Sequence, residues 1–336
     1  MSKFRGYLQL TRAHTAPLEM IPAIVGAVLV TGELVSAQVA IAGLFGLFYH
    51  LTGYGHNSYS DWRNGYDKDD EHKQHHPLNT GELAPHDAKE FIFISAAITA
   101  IIGVAMSLNS PDALAYLILA VIAGVYYNEM GKQTYLKFIP ISFAHTSTFA
   151  VPYLALGGHP SDRLFLLGAG FVFLWVVYQI SVSGEVKDLD TDEENLIRRL
   201  GLVERYMFDE ERNMVKRLVV PPEARTYSYT LRLVIGFWAL IGAILYIGRE
   251  YTLILIPFFV LLSVYLNAVM MGRDLNNRDA RIRNMALIEF CSMAIFLSMY
   301  APLLSLTVAG GLMGLAFLWV RAGNWYLWGT SIAPKV

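Results

Sequence analysis

Two short stretches carry side chains able to do chemistry together: "NSYSDWRNGYD" at residues 57–67 and "EVKDLDTD" at residues 185–192. In the first, Asn57 and Asp61 are four residues apart and share a face if the preceding apolar segment continues as a helix; Asp67 follows. In the second, Glu185, Asp188 and Asp192 recur at spacings of three and four, again one helical face. Each set stands at the end of an apolar run. Hard divalent cations take oxygen ligands, and Mg²⁺ is held by one or two carboxylates and shared with substrate phosphates. Two facing sets can hold two or more Mg²⁺ ions on either side of a diphosphate and offset the charge that develops as it leaves. Neighbouring Lys or Arg suits the remaining phosphate oxygens. An apolar chamber between the segments suits a hydrocarbon tail, which points to an enzyme acting on isoprenyl diphosphates.

The elements that must position these residues belong to a membrane. The chain has 336 residues, 54% hydrophobic and 16% charged, against about 25% charged in soluble domains. A net charge of −2 argues against a nucleic-acid binder. The single cysteine, Cys291, excludes an intramolecular disulfide framework. Arg12, His14 and Glu19 interrupt the first apolar run, so it reads as a retained span rather than a signal peptide. Spans of about 17–25 apolar residues are expected near 17–33, 38–57, 88–108, 112–128, 139–158, 162–184, 227–248, 250–271, 284–301 and 302–321. The last two abut at Ala301-Pro302, giving nine or ten spans in one polytopic membrane domain. Lys and Arg recur in every second connection, richest between residues 187 and 225. The N-terminus and both motif loops, about 57–87 and 185–226, are therefore expected on the cytoplasmic side.

At these residues the sequence resembles the UbiA superfamily of integral-membrane prenyltransferases. "NSYSDWRNGYD" is similar to that family's Asn-Asp-x-x-Asp-type motif after the second span, and "EVKDLDTD" to its Asp-x-x-x-Asp motif after the sixth. "LTRAHTAPLEMIPAIVGA" resembles the Arg-Pro-His-Thr opening of the first span, and "HHPLNTGELA" the Arg-Pro-Leu-x-x-Gly stretch. Ser58 stands where a second Asp is usual, and His76 where Arg is usual. The gap from Asp61 to Asp67 leans to the menaquinone-branch (MenA-like) members. The resemblance implies an all-α bundle of nine or ten helices around a central cavity with cytoplasmic cap loops. It implies Mg²⁺-dependent transfer of a prenyl group from its diphosphate to a hydrophobic or aromatic acceptor drawn from membrane lipid, foremost an aromatic or naphthoate quinone precursor. Asp61, Asp67, Glu185, Asp188 and Asp192 would bind the metals, with Asp61 and Asp188 foremost. Asn57 would hold metal-bound water or a phosphate oxygen, and Arg12, Lys73, Lys132 and Lys187 would contact phosphate. Ionisation of the allylic C–O bond would leave a carbocation that aromatic faces stabilise; Tyr126 and Tyr127 are candidates.

Other readings stand beside this one. Acidic residues in such loops, among them Asp69, Asp70, Glu71, Glu193 and Glu194, are ordinarily just solvated. "HKQHH" sets His72, His75 and His76 at spacings that zinc accepts. A divalent-ion or organic-anion transporter would place ionisable groups near mid-membrane; His145 and Arg232 are the main polar groups inside spans. A membrane terpene cyclase would carry the same motifs without an acceptor. A glycerol-ether lipid or a polyprenoid is the alternative acceptor.

Overall fold

The computed structural model describes residues 3–67, 73–131, 134–189, 195–208, 214–248 and 251–329. Short α1 (Lys3–Leu10) leads through a single 3₁₀ turn, Ala13–Thr15, into α2 (Pro17–Thr31). There follow α3 (Ala37–Arg63), α4 (Pro85–Ser107), α5 (Pro111–Met130), α6 (Phe138–Ala155) and α7 (Arg163–Tyr178). A π-helical segment, Gln179–Gly184, carries α7 into the short turns α8 (Glu185–Lys187) and α9 (Leu196–Arg199). The chain closes with α10 (Pro222–Tyr246), α11 (Thr252–Met271), α12 (Arg278–Leu304) and α13 (Leu306–Trp328).

The helix starts are written in the sequence. Pro17, Pro85, Pro111 and Pro222 open α2, α4, α5 and α10, where a missing N–H costs nothing and φ is already helical. Ser36, Ser110 and Asn277 cap α3, α5 and α12 by accepting from Val39, Ala113 and Ala280. At Gly46, α2 and α3 approach so closely that a Cβ there would sit 2.7 Å from the Glu19 carbonyl oxygen.

Helices α2, α6, α7 and α12 form the centre, with Phe149, Phe171, Phe296 and Tyr300 stacked among them. Helices α4, α5, α11 and α13 turn large apolar side chains outward, Phe93 at 75% and Ile254 at 72% exposure among them. Outward apolar faces over a packed interior are those of a protein solvated by lipid. Among the described residues, eight helical segments are long and apolar enough to cross a membrane. Helices α3 and α6 are as long but carry more polar side chains, which point at the site below.

Three expectations are corrected. The break between the last two spans falls at Ser305 (φ 71°), because α12 runs on through Pro302 to Leu304. The sixth span does not continue as regular helix through its motif: the helix ends at Lys187 and Asp188 is already non-helical. The long connection ahead of α10 holds an antiparallel hairpin, β1 (Val203–Phe208) with β2 (Met214–Val219), Val203 opposite Val219. Asn276 anchors it, its Oδ1 accepting from the Leu218 N–H at 2.7 Å.

Candidate active site

Helix α3 does not stop at residue 57 but runs to Arg63, which places Asn57 and Asp61 on one face, as their spacing required. The other face is clamped to the end of α5. His56 and Ser60 meet Glu129 at 2.9 and 3.0 Å, and Arg63 pairs with its second oxygen. With that face held, Asn57 and Asp61 turn into a cavity of about 270 Å³. From α7, the π segment brings Gln179, Ile180 and Gly184 to the same cavity, and Glu185, Lys187 and Asp188 follow. π turns inside helices occur mostly at functional sites.

The cavity thus gathers Asn57, Asp61, Glu185 and Asp188 with four cations: Arg12, Lys73, Lys137 and Lys187. Asp61 and Glu185 are 5% and 2% exposed. Buried carboxylates need partners, and lysines supply them. Lys137 Nζ lies 2.8 Å from Glu185 Oε1, while Glu185 Oε2 accepts from the Leu196 N–H at 2.6 Å. Lys187 stands 3.4 Å from Asp188. Deeper, the wall becomes apolar through Val121, Val125, Ile141, Ala144 and Ile180. Val121 and Val125 line the cavity and are about half exposed, so the wall along α5 is not sealed.

Not every expected residue reaches this cavity. Asp67 is buried behind it, paired to Lys73 Nζ at 2.6 Å, and Asn79 bonds the Asp67 carbonyl, so this pair fastens the loop after α3. Tyr126 faces outward, half exposed, and its neighbour Tyr127 lines the cavity instead. Lys132, Asp192, His72, Asp69, Asp70, Glu71, Glu193 and Glu194 lie outside the described residues. His75 packs edge-on against Trp328, and the His76 Nδ1 faces the Leu78 N–H. Burial pushes the His76 imidazole down from the usual 6.5 to about 4.

Sequence reasoning missed the cavity's inner end. Glu19 of α2, 2% exposed, receives two imidazoles: His50 Nδ1 at 2.6 Å on Oε2 and His145 Nδ1 at 2.8 Å on Oε1. Tyr54 lies against His50, ring centroids 4.3 Å apart, and the Arg12 guanidinium sits over Tyr54 at 5.6 Å. The signal available was Glu19 itself, a carboxylate inside an apolar run.

The donor set of Asp61, Glu185, Asp188 and Asn57 is all oxygen, the chemistry a hard divalent cation takes. Among the described residues no three His, Cys, Asp or Glu side chains lie close enough to hold a metal ion by themselves; one or two carboxylates per ion, shared with substrate phosphates, is how Mg²⁺ is usually bound. The residues fit Mg²⁺.

A helical bundle with lipid-facing sides, and a cavity passing from an acidic, lysine-ringed end to an apolar wall, defines an integral-membrane protein built around an amphiphilic ligand. The chain belongs to the UbiA prenyltransferase family, whose model matches residues 20–288. It is 28% identical over 206 residues to a digeranylgeranylglyceryl phosphate synthase of Ignicoccus hospitalis, a match covering 60% of this chain and 65% of that protein. In fold it is similar to a solved digeranylgeranylglyceryl phosphate synthase, with a TM-score of 0.63 and 16% identity over 91% of this chain and 100% of that one. It is also similar to a UbiA homologue from Archaeoglobus fulgidus bound to GPP and Mg²⁺, with a TM-score of 0.61 and 16% identity over 89% and 99% of the two chains. At those identities the likeness is one of fold.

Proposed function

We propose that this protein, acting as a single membrane domain, transfers a prenyl group from an isoprenyl diphosphate to an acceptor, with Mg²⁺, and releases diphosphate. The observation that carries the reading is the shared cavity: Asp61 from α3 and Glu185 and Asp188 after α7 open onto one space ringed by four cations and continued by an apolar wall. The binding of GPP and Mg²⁺, and of DMAPP and Mg²⁺, by the A. fulgidus homologue supports it.

Asp61, Glu185 and Asp188 hold Mg²⁺, with Asp192 joining them by its place in the motif, while Asp67, paired to Lys73 behind the cavity, supports the loop that carries them. Bound there, Mg²⁺ offsets the negative charge of the leaving diphosphate. Asn57 orients a phosphate oxygen or a water. Lys73, Lys137, Lys187 and Arg12 take the remaining phosphate oxygens, with Lys132 joining them on the sequence reading. The prenyl chain lies along Val121, Val125 and Ile141. Tyr54 and Tyr127 line the same cavity, and aromatic rings there stabilise positive charge as it develops on the allylic carbon. The motif end faces the cytoplasm, because the connections on that side carry the Lys and Arg excess.

The acceptor is a glycerol-ether lipid, a reading favoured by the I. hospitalis relative. An aromatic or naphthoate quinone precursor is the second reading, favoured by the six-residue step from Asp61 to Asp67. Purified protein in lipid, given radiolabelled geranylgeranyl diphosphate, Mg²⁺ and a panel of acceptors, tests this. Asp61→Ala and Asp188→Ala should lower transfer by at least ~10²-fold, the scale of losing a main electrostatic contact. Diphosphate release with a cyclised hydrocarbon would move the protein to a cyclase. Neither turnover nor donor binding with any chain length would sink the clamp and favour a transporter.

A further inference from the structure

Resting on that reading, we propose that His145 is the proton acceptor for a hydroxyl-bearing acceptor, and that Glu19 and His50 position it. His50 meets the Glu19 carboxylate with Nδ1 and the Arg12 carbonyl oxygen with Nε2, at 2.6 and 3.1 Å. The Thr15 hydroxyl lies 3.4 Å from the same Nε2, so both nitrogens of His50 are occupied. His145 also gives Nδ1 to Glu19, at 2.8 Å. Its Nε2 has no hydrogen-bond partner among the described residues, and the side chain, 14% exposed, lines the cavity. A carboxylate on Nδ1 fixes the tautomer that leaves the Nε2 lone pair outward, the arrangement that makes an imidazole a base and stabilises the imidazolium it becomes.

The position suits the step. From Asp61 to His50 is eleven residues of α3, about 16 Å at 1.5 Å per residue. The diphosphate occupies the Asp61 end, so the reacting carbon lies between the acid cluster and the histidines. In the step, the acceptor oxygen bonds to the allylic carbon and the carbon–oxygen bond to diphosphate breaks, its electron pair leaving with diphosphate. The acceptor's proton passes to His145 Nε2 and from there to water at the cavity mouth. An alcohol needs a base, because the ether oxygen it forms carries the proton until one takes it. Ionisable groups inside spans are rare and costly, and mark function where they occur.

The groups that would colour a titration here are Glu19 from α2, Tyr49, His50 and Tyr54 from α3, Tyr127 from α5, and Arg12 ahead of α2. Helices α4 and α7 bring Thr99 and Gln179 to the cavity, and Glu289 of α12, which accepts from the Trp175 indole, also acts electrostatically on Tyr54.

The test uses the full chain in lipid, with geranylgeranyl diphosphate, Mg²⁺ and either a glycerol monoether phosphate or a dihydroxynaphthoate. His145→Gln should lower kcat for the alcohol by about 10²–10⁴-fold, the range of general base catalysis. The donor KM should stay within about twofold, and the acid limb of the wild-type pH profile should vanish. Glu19→Gln should lower kcat less, and His50→Gln should keep the acid limb. Thermal unfolding and binding of a non-hydrolysable donor analogue separate misfolding from lost chemistry. A His145→Gln enzyme with near-normal kcat, or one whose lower kcat keeps the wild-type acid limb, would overturn the assignment alone. A wild-type chain that prenylates only the dihydroxynaphthoate would overturn it as well. No transfer to either acceptor by the wild type would overturn the transferase reading and this assignment together.

Discussion

Replacing Lys137 by Met keeps most of the unbranched side chain and removes the ammonium 2.8 Å from Glu185 Oε1. The two side chains are 11% and 1% exposed, so water does little to make up the loss. Removing one partner of a buried pair costs about 3–5 kcal/mol, most of it the stranded charge. Glu185 Oε2 keeps the Leu196 N–H at 2.6 Å, which sets the expected loss at the low end, about 3 kcal/mol. If Glu185 faces metal, Mg²⁺ with a non-hydrolysable donor analogue supplies the missing positive charge. A ligand that binds only the folded state adds about 2.7 kcal/mol at a hundred times its Kd. Thermal unfolding of wild type and Lys137→Met in lipid, with and without Mg²⁺ and analogue, reads both effects. The variant should melt lower when unliganded, and the gap should narrow on binding. A variant as stable as wild type without ligand, or a gap untouched by saturating Mg²⁺ and analogue, would refute the reasoning.

Gly46→Ala should cost about 1–3 kcal/mol, the range for overpacking, because its Cβ would meet the Glu19 carbonyl oxygen and the Met20 Cα, both backbone atoms. The same thermal assay reads it, with transfer activity falling in step as Glu19 is displaced. For His76, burial holds the imidazole near 4 in the folded chain against 6.5 unfolded. The unfolded chain therefore binds the proton first, and stability is whole above about pH 6.5 and falls as pH drops toward 4. At 1.36 kcal/mol per pH unit the loss reaches roughly 3 kcal/mol. His76→Gln should flatten that fall in an acid unfolding series, and an unchanged slope would place the titrating group elsewhere.

The acidic end of the site was legible because Asp61 and Asp188 stand at apolar boundaries, where a solvated loop residue and a ligand differ in spacing. Their companions were less so. Lys137 looks like any basic residue of a positive connection, and only the fold shows it on Glu185. Tyr126 and Tyr127 differ by one position, about 100° around α5, which spacing does not resolve in a helix whose middle is apolar on every side. His145 was visible as a polar group inside a span, yet its partner Glu19 is 126 residues away in sequence. The hairpin at residues 203–219 had no period-2 signal, because "VERYMF" and "MVKRLV" each set an adjacent charged pair between apolar residues instead of alternating.

The π segment at Gln179–Gly184 stores one residue of slack between two halves that need different orientations. Before it, Trp175 and Tyr178 are packed inside the bundle; after it, Glu185 and Asp188 look into the cavity. A regular α-helix of the same sequence would carry everything beyond the segment about 100° around the axis. Deleting one residue within it should therefore be absorbed, the wide turn relaxing to an ordinary one with both faces kept. The same deletion a turn earlier would swing the packed half of α7 out of phase with its neighbours. In this chain the aim of the second carboxylate set is adjusted by the winding of one helical turn, independently of the helix that supports it.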